Sequence, residues 1–248
     1  MKNNRTTFIL IRGLLREQRH WGQFIPSLKQ QFPTARIISL DIPGNGSLYQ
    51  QTSPNTIAGL TESLRQQLPH RSQLHLIAIS MGGMIAIDWM NRYPTEIKST
   101  VLINSSLANY SPFYQRLKWQ NYPAIFKQIF QPAQPIEPLI LNLTSNKYQD
   151  DTELLKNWEL WRKQFPVSTK SAFNQLWAAA KFKSNLKPLH PLLIVASKKD
   201  KLVDYRCSLA LQKQWQSDYI EHNSAGHDLP LDDPDWMAQS IHRWHQEL

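Results

Sequence analysis

Short, unbroken apolar runs recur along this chain, each parted from the next by a longer stretch of helical periodicity, and that alternation restricts the fold more than any other feature. TFILI near the start, RIISL at 36–40, LHLIAI at 74–79, STVLIN at 99–104 and LLIVA at 192–196 show little of the polar alternation of a half-exposed strand. A strand that is apolar on both sides must be covered on both sides, which is the situation of a parallel sheet built from βαβ units. Residues 21–32, 56–68, 82–91, 205–215 and 234–246 read as the intervening helices, and a short strand is expected near 218–221. The fold expected is α/β: a mainly parallel sheet of about six strands flanked by helices. In such sheets the functional loops gather beyond the carboxyl ends of the strands.

The rhythm fails between residues 106 and 189. This stretch has no strand of the same quality, holds 14 aromatic residues between Tyr110 and Phe182, and carries 11 Lys/Arg against 5 Asp/Glu between positions 110 and 190, a balance of +6. It reads as a helical insertion lying over the strand ends. The expected division is therefore a core made of residues 1–105 and 190–248, with a helical cap at 106–189.

The chain as a whole has a net charge of +9, which suits an acidic partner without naming one. No zinc-ligand spacing, RNA-binding aromatic motif or basic heptad helix accompanies the charge, so nucleic acid is not expected as a partner. No apolar run approaches the ~20 residues of a membrane span. The apolar stretch near the N-terminus is too short for the core of a secretory signal, and the expected location is cytoplasmic. The single cysteine, Cys207, rules out an intrachain disulfide, and its place in the helical run YRCSLALQKQW marks it as a small buried residue.

Four segments carry chemistry. In Ala78-Ile79-Ser80-Met81-Gly82-Gly83 a serine stands between a buried strand and a helix, with small residues two positions to either side. A nucleophile must project from the sheet on a sharp, strained turn, and only small neighbours permit that turn. Ser80 is the candidate nucleophile. Ser197-Lys198-Lys199-Asp200 follows the strand LLIVA, which places Asp200 at the same sheet edge; Asp204 is a close competitor. Ser224-Ala225-Gly226-His227 follows the last short strand, and a histidine on such a loop can reach the serine with one ring nitrogen and a carboxylate with the other. His75 lies within a strand, His242 and His245 are expected to face outward on the last helix, and His20 is expected to border the pocket. Finally, Ile11-Arg12-Gly13-Leu14 follows the first strand. The backbone N–H groups of Leu14 and Met81 are the candidate pair of oxyanion donors.

The order Ser80, Asp200, His227 is the chain order of α/β-hydrolases. With RGLLREQRHW, DIPGNG, AISMGGMIA, SKKDKLVD and AGHDLPLDDP, the chain resembles that superfamily over its whole length. The resemblance implies a parallel sheet flanked by helices, a cap inserted after STVLIN, a catalytic triad of Ser80, Asp200 and His227, and no cofactor. Two departures stand out: Arg12-Gly13 replaces the usual His-Gly of the oxyanion loop, and Ala78 replaces the first glycine of the elbow. The first two strands of larger members also look absent. Among subfamilies the layout is similar to the pimeloyl-acyl-carrier-protein methyl ester esterases, whose basic surface meets an acidic carrier protein; enol-lactonases, haloperoxidase-like esterases and carbon–carbon bond hydrolases are nearly as similar. The expected activity is hydrolysis of a small carboxylic ester or thioester through an acyl-enzyme on Ser80. An acidic acyl carrier protein is a possible partner, and a non-catalytic binding protein on the same fold is the alternative, because fold alone does not set function.

Overall fold

In the computed structural model, which describes residues 6–130 and 134–248, six strands form one parallel sheet in the order β2-β1-β3-β4-β5-β6. The first five residues lie outside the described residues. The strands are β1 (Thr7–Ile11), β2 (Arg36–Leu40), β3 (Leu74–Ile79), β4 (Ile97–Ile103), β5 (Leu192–Ser197) and β6 (Asp218–His222). The register aligns Ile11 with Ala78, Ile79 with Ile103, Ile103 with Val195 and Ser197 with His222, so these carboxyl ends share one edge.

Strand side chains alternate between two faces, and the core divides accordingly. Ile9, Ile11, Leu76, Ala78, Leu102 and Ile194 pack with helices α2 (Ile57–Gln66), α3 (Met81–Arg92) and α9 (Arg206–Trp215). Phe8, Leu10, Ile77, Ile79, Val101 and Val195 pack on the other face with α1 (Phe24–Gln31) and with α11 (Pro234–Gln246), which follows the one-turn α10 (Leu229–Asp232). Helix α2 starts at Thr56, whose side chain accepts the Gly59 N–H, and α11 starts at Asp233, whose carboxylate accepts the Trp236 N–H; each satisfies a donor that a helix start leaves unpaired.

Between β4 and β5 the described residues contain helices α4 (Phe113–Arg116), α5 (Tyr122–Phe130), α6 (Glu137–Thr144), α7 (Thr152–Gln164) and α8 (Thr169–Lys181), and no strand. Their buried side is built from Leu141, Trp158 and Ala178, whereas Phe113, Trp119, Phe126, Phe130 and Phe173 face solvent. Aromatic content alone therefore overstates how far this segment forms an apolar lining.

Two local expectations need correction. The helix expected over 21–32 begins only at Phe24, because Gly22 takes a φ of 45° after a 3-10 turn over Gln18–Trp21. His242 and His245 do not face outward: their rings lie 5.0 and 5.2 Å from the Phe32 ring, and His245 also meets His75 at 4.9 Å. Both residues are half-buried, and one nitrogen of each ring, His242 Nδ1 and His245 Nε2, is buried beside Phe8 and Phe32.

Candidate active site

Ser80 is the first residue beyond β3, and its backbone has φ 57° and ψ −123°, a conformation that non-glycine residues rarely adopt. The turn is held from three sides. Ser80 N donates to Ile103 O at 2.9 Å, Gly83 N donates to Ser80 O at 2.9 Å, and Ser105 Oγ donates to the same carbonyl at 2.9 Å. Small residues are required here for a visible reason. A Cβ on Gly82 would run into the carbonyl of Ile11 and sit 2.7 Å from that of Arg12, and one on Gly83 would sit 2.7 Å from Ser105 Cβ. Gly13 also comes close: a Cβ there would lie 3.0 Å from Ser80 Cβ and 3.4 Å from its Oγ. The loop after β1 thus lies directly against the serine. Among the described residues the N–H groups of Leu14 and Met81 donate to nothing, and Ser80 Oγ makes no hydrogen bond.

Asp200 and His227 come together. His227 Nδ1 and Asp200 Oδ2 are 2.7 Å apart with both groups buried, the geometry of a ring N–H donating to a carboxylate oxygen. The other oxygen of Asp200 accepts the N–H groups of Leu202 at 2.7 Å and Val203 at 2.9 Å, which fixes the plane of the carboxylate. His227 Nε2 makes no hydrogen bond among the described residues, so it and Ser80 Oγ are not bonded to each other in this structure. Their backbones are nonetheless anchored to consecutive residues: Ile103 O receives Ser80 N, and Asn104 Nδ2 donates to His227 O at 2.8 Å. Asp204, the competitor, is engaged elsewhere. It accepts Arg206 Nε at 2.9 Å and the Arg206 N–H at 3.0 Å, and the guanidinium holds its carboxyl below the usual carboxylate range.

Several residues that sequence reasoning missed organise these loops. Asn104, in the left-handed region at φ 48°, exchanges hydrogen bonds with Ser197 through Oδ1 (2.8 Å) and Nδ2 (3.0 Å) while holding the histidine carbonyl. An asparagine directly after a buried strand was the available signal, since Asn tolerates that conformation. The helical segment between β4 and β5 reaches both loops. Lys118 Nζ donates to Asp200 O at 2.6 Å, Asn121 Nδ2 to Lys201 O at 2.8 Å, and Asn146 Nδ2 to both Lys199 O and Ser224 O at 3.1 and 3.0 Å. Asp228 N donates to Thr144 O at 2.7 Å. None of these contacts carries a sequence pattern.

Arg12, the departure in the oxyanion loop, forms a two-point ion pair with Asp228, Nη1 to Oδ1 at 3.0 Å and Nη2 to Oδ2 at 2.5 Å, with both side chains buried. His20 lines a small cavity with Arg16, Glu137 and Trp158. It is buried between Trp158 and Trp161 and hydrogen-bonded to Arg16, and burial, reinforced by Arg16 and Arg12, pushes its pKa well down. Arg16 and Arg162 share Glu137 at 2.7 and 2.8 Å, which ties the loop after β1 to α6 and α7. Cys207 is fully buried and burial pushes its thiol up to about 11, the opposite of an activated nucleophile. Among the described residues no group of three His, Cys, Asp or Glu side chains could hold a metal ion.

Comparison with known proteins agrees with this architecture. Over 96% of its length the chain is 23% identical to the biotin biosynthesis bifunctional protein BioHC of Teredinibacter turnerae, and it spans only 44% of that protein. Among solved structures it is similar to a protein described as a lipase from Acinetobacter baumannii (TM-score 0.80, 22% identity, covering 99% of this chain and 85% of that one). It is also similar to a hydrolase from Pseudomonas aeruginosa (0.79, 14%, 98% and 91%) and to a thermophilic esterase from Thermogutta terrifontis (0.76, 15%, 98% and 90%). At these identities the structural likenesses speak for the fold. The family model described as the alpha/beta hydrolase family matches residues 8–240, from the first strand into the last helix, and the chain belongs to that family.

Proposed function

We propose that this protein is a serine hydrolase that cleaves small carboxylic esters or thioesters through an acyl-enzyme on Ser80. The observation that carries the reading is the buried 2.7 Å hydrogen bond between His227 and Asp200, on loops anchored beside the strained turn of Ser80. Asp200 holds the imidazole with its proton on Nδ1, which leaves Nε2 as the basic nitrogen facing the substrate side. His227 takes the Ser80 proton as Oγ attacks the acyl carbonyl. The N–H groups of Leu14 and Met81 receive the oxyanion, and Met81 sits at the start of α3, where the helix end favours negative charge. His227 then protonates the leaving alcohol or thiol and activates water against the acyl-enzyme, returning the serine and releasing the acid. Residues 106–189 act in this reading as a cap over a core formed by 1–105 and 190–248, and the Lys118, Asn121 and Asn146 contacts to the acid and histidine loops support that division.

Ser80→Ala tests the reading with a panel of p-nitrophenyl esters and thioesters of graded chain length. Nearly all turnover should be lost, and a fluorophosphonate should label the wild type at Ser80 only. Hydrolysis retained by the variant, or a wild type that takes no label, would defeat it, the latter in favour of a non-catalytic binding role.

A second reading makes the acyl group one borne by an acidic carrier protein. Two observations favour it: the distant relative named for biotin biosynthesis, and a depression of about 480 Å³ beside Asp200 lined by Lys118, Lys198, Lys199 and Lys201. Hydrolysis of a carrier-borne ester should then exceed that of the free ester and weaken with salt. Equal, salt-insensitive rates would remove this reading and leave the first intact.

A further inference from the structure

The oxyanion loop and the histidine loop are 216 residues apart in sequence, and one buried ion pair joins them directly. Arg12 is the first residue beyond β1, and its backbone packs on the serine turn: the carbonyl of Arg12 is one of the two atoms that exclude a side chain at Gly82. One residue later Gly13 lies against Ser80, and one residue after that comes the N–H of Leu14. The Arg12 side chain leaves this loop for the neighbouring one, where both of its terminal nitrogens meet Asp228, the residue that follows His227. The guanidinium also lies 4.9 Å from the ring centroid of Trp21, which packs in the same apolar cluster as Ala225 and Leu229 on either side of the histidine. A planar, two-point bond restricts rotation as well as distance, which a single contact or a lysine does not.

We propose that Arg12 and Asp228 are positioning residues that set the histidine loop and the oxyanion loop in register with one another, Arg12 supplying through its side chain the alignment that the loop's backbone needs to aim the Leu14 N–H. This inference rests on the serine-hydrolase reading above. Both side chains are buried, so the pair acts through the two loops that carry it. It acts because the base and the oxyanion donor sit on separate loops whose relative placement nothing in the sheet itself defines beyond the strand ends. Its contribution appears when the charge of the tetrahedral intermediate develops, where a shift of about 1 Å is enough to lose about 10²-fold in rate. Ground-state binding of the ester, which does not use the oxyanion site fully, should be nearly indifferent.

The test compares wild type, Arg12→Gln, Arg12→Lys and Asp228→Asn on a p-nitrophenyl ester, with active sites counted by the endpoint of fluorophosphonate labelling and folding followed by circular dichroism. Expected is a loss of about 10²-fold in kcat per titrated site for Arg12→Gln and Asp228→Asn, with KM changed by less than about threefold, and a partial rescue in Arg12→Lys. A purely stabilising pair would instead lower the melting temperature and leave kcat per titrated site unchanged below it; that result overturns the proposal. If a single variant does not fold because one charge is left buried, the double variant Arg12→Gln/Asp228→Asn, which buries none, is read in its place by the same criterion. Ser80→Ala serves as the control: if it abolishes turnover while Arg12→Gln keeps a normal kcat, this inference alone fails, whereas turnover retained in Ser80→Ala would defeat the serine reading beneath it.

Discussion

Replacing Asp200 with asparagine is the sharpest single perturbation of the proposed mechanism, because the structure dictates how the amide must sit. One carboxylate oxygen accepts two backbone N–H groups, from Leu202 at 2.7 Å and Val203 at 2.9 Å, so the amide oxygen has to occupy that position. The NH₂ group is then forced toward His227 Nδ1, where Oδ2 lies 2.7 Å away in the wild type. A donor facing Nδ1 requires that nitrogen to be unprotonated, which moves the ring proton to Nε2 and disables the base. The variant keeps size, packing and both backbone hydrogen bonds but holds the wrong tautomer. The loss for such a swap in a triad is about 10⁴-fold in kcat, or about 5.4 kcal/mol of transition-state stabilisation at 1.36 kcal/mol per decade. Steady-state hydrolysis of a p-nitrophenyl ester, with circular dichroism as the folding control, measures it. Asp204→Asn, whose carboxylate is spent on Arg206, should stay within about threefold of wild type. A well-folded Asp200→Asn within tenfold of wild type would refute the assignment of the acid and the argument from amide orientation together.

Three further outcomes follow from the geometry. Glu137→Ala strips two arginines of a shared buried carboxylate and should destabilise the fold by about 3–5 kcal/mol, toward the lower end because Arg162 is partly exposed; a urea melt reads this, and a change below about 1 kcal/mol would contradict it. Gly82→Ala drives a methyl into the carbonyls after β1 and should destabilise by about 1–3 kcal/mol while abolishing turnover, and an unchanged melting temperature would show that the turn has room the geometry denies it. Burial pushes the pKa of His75 down to about 4 from 6.5, so the unfolded chain takes up a proton there that the folded chain refuses; this stabilisation is present above pH 6.5 and is lost as the pH falls toward about 4. The urea midpoint should therefore drop between pH 7.5 and 4.5, and drop less in His75→Gln; an equal drop in both would contradict the assignment.

Much of the candidate site could be read before any coordinates, and the reason is local. Ser80 announces itself because a strained strand-to-helix turn needs small neighbours, and that demand is written within five residues. Asp200 and His227 follow from their positions just beyond short apolar strands. What could not be read has the opposite character. The choice of Asp200 over Asp204 turned on which carboxylate faces the histidine and which faces Arg206, a question of direction that two acids four residues apart in one loop do not answer. The inward packing of His242 and His245 depended on Phe8 and Phe32, far away in sequence. Asn104 reads in sequence as the end of a strand, yet it bonds both Ser197 and the backbone of His227.

The sequence by itself determined the parallel sheet, the place of the elbow and the order of the three candidate catalytic groups, because hydrophobic periodicity and turn chemistry are short-range and act through the backbone. Only the tertiary structure decided how the loops at the sheet edge are held. Arg12 reads in sequence as a departure from a familiar loop; in the fold it is bonded to Asp228, beside the histidine. Buried ion pairs and single amide clamps such as Asn146 carry no period and no composition, since they depend on which side chains the packed layers bring within about 3 Å of one another.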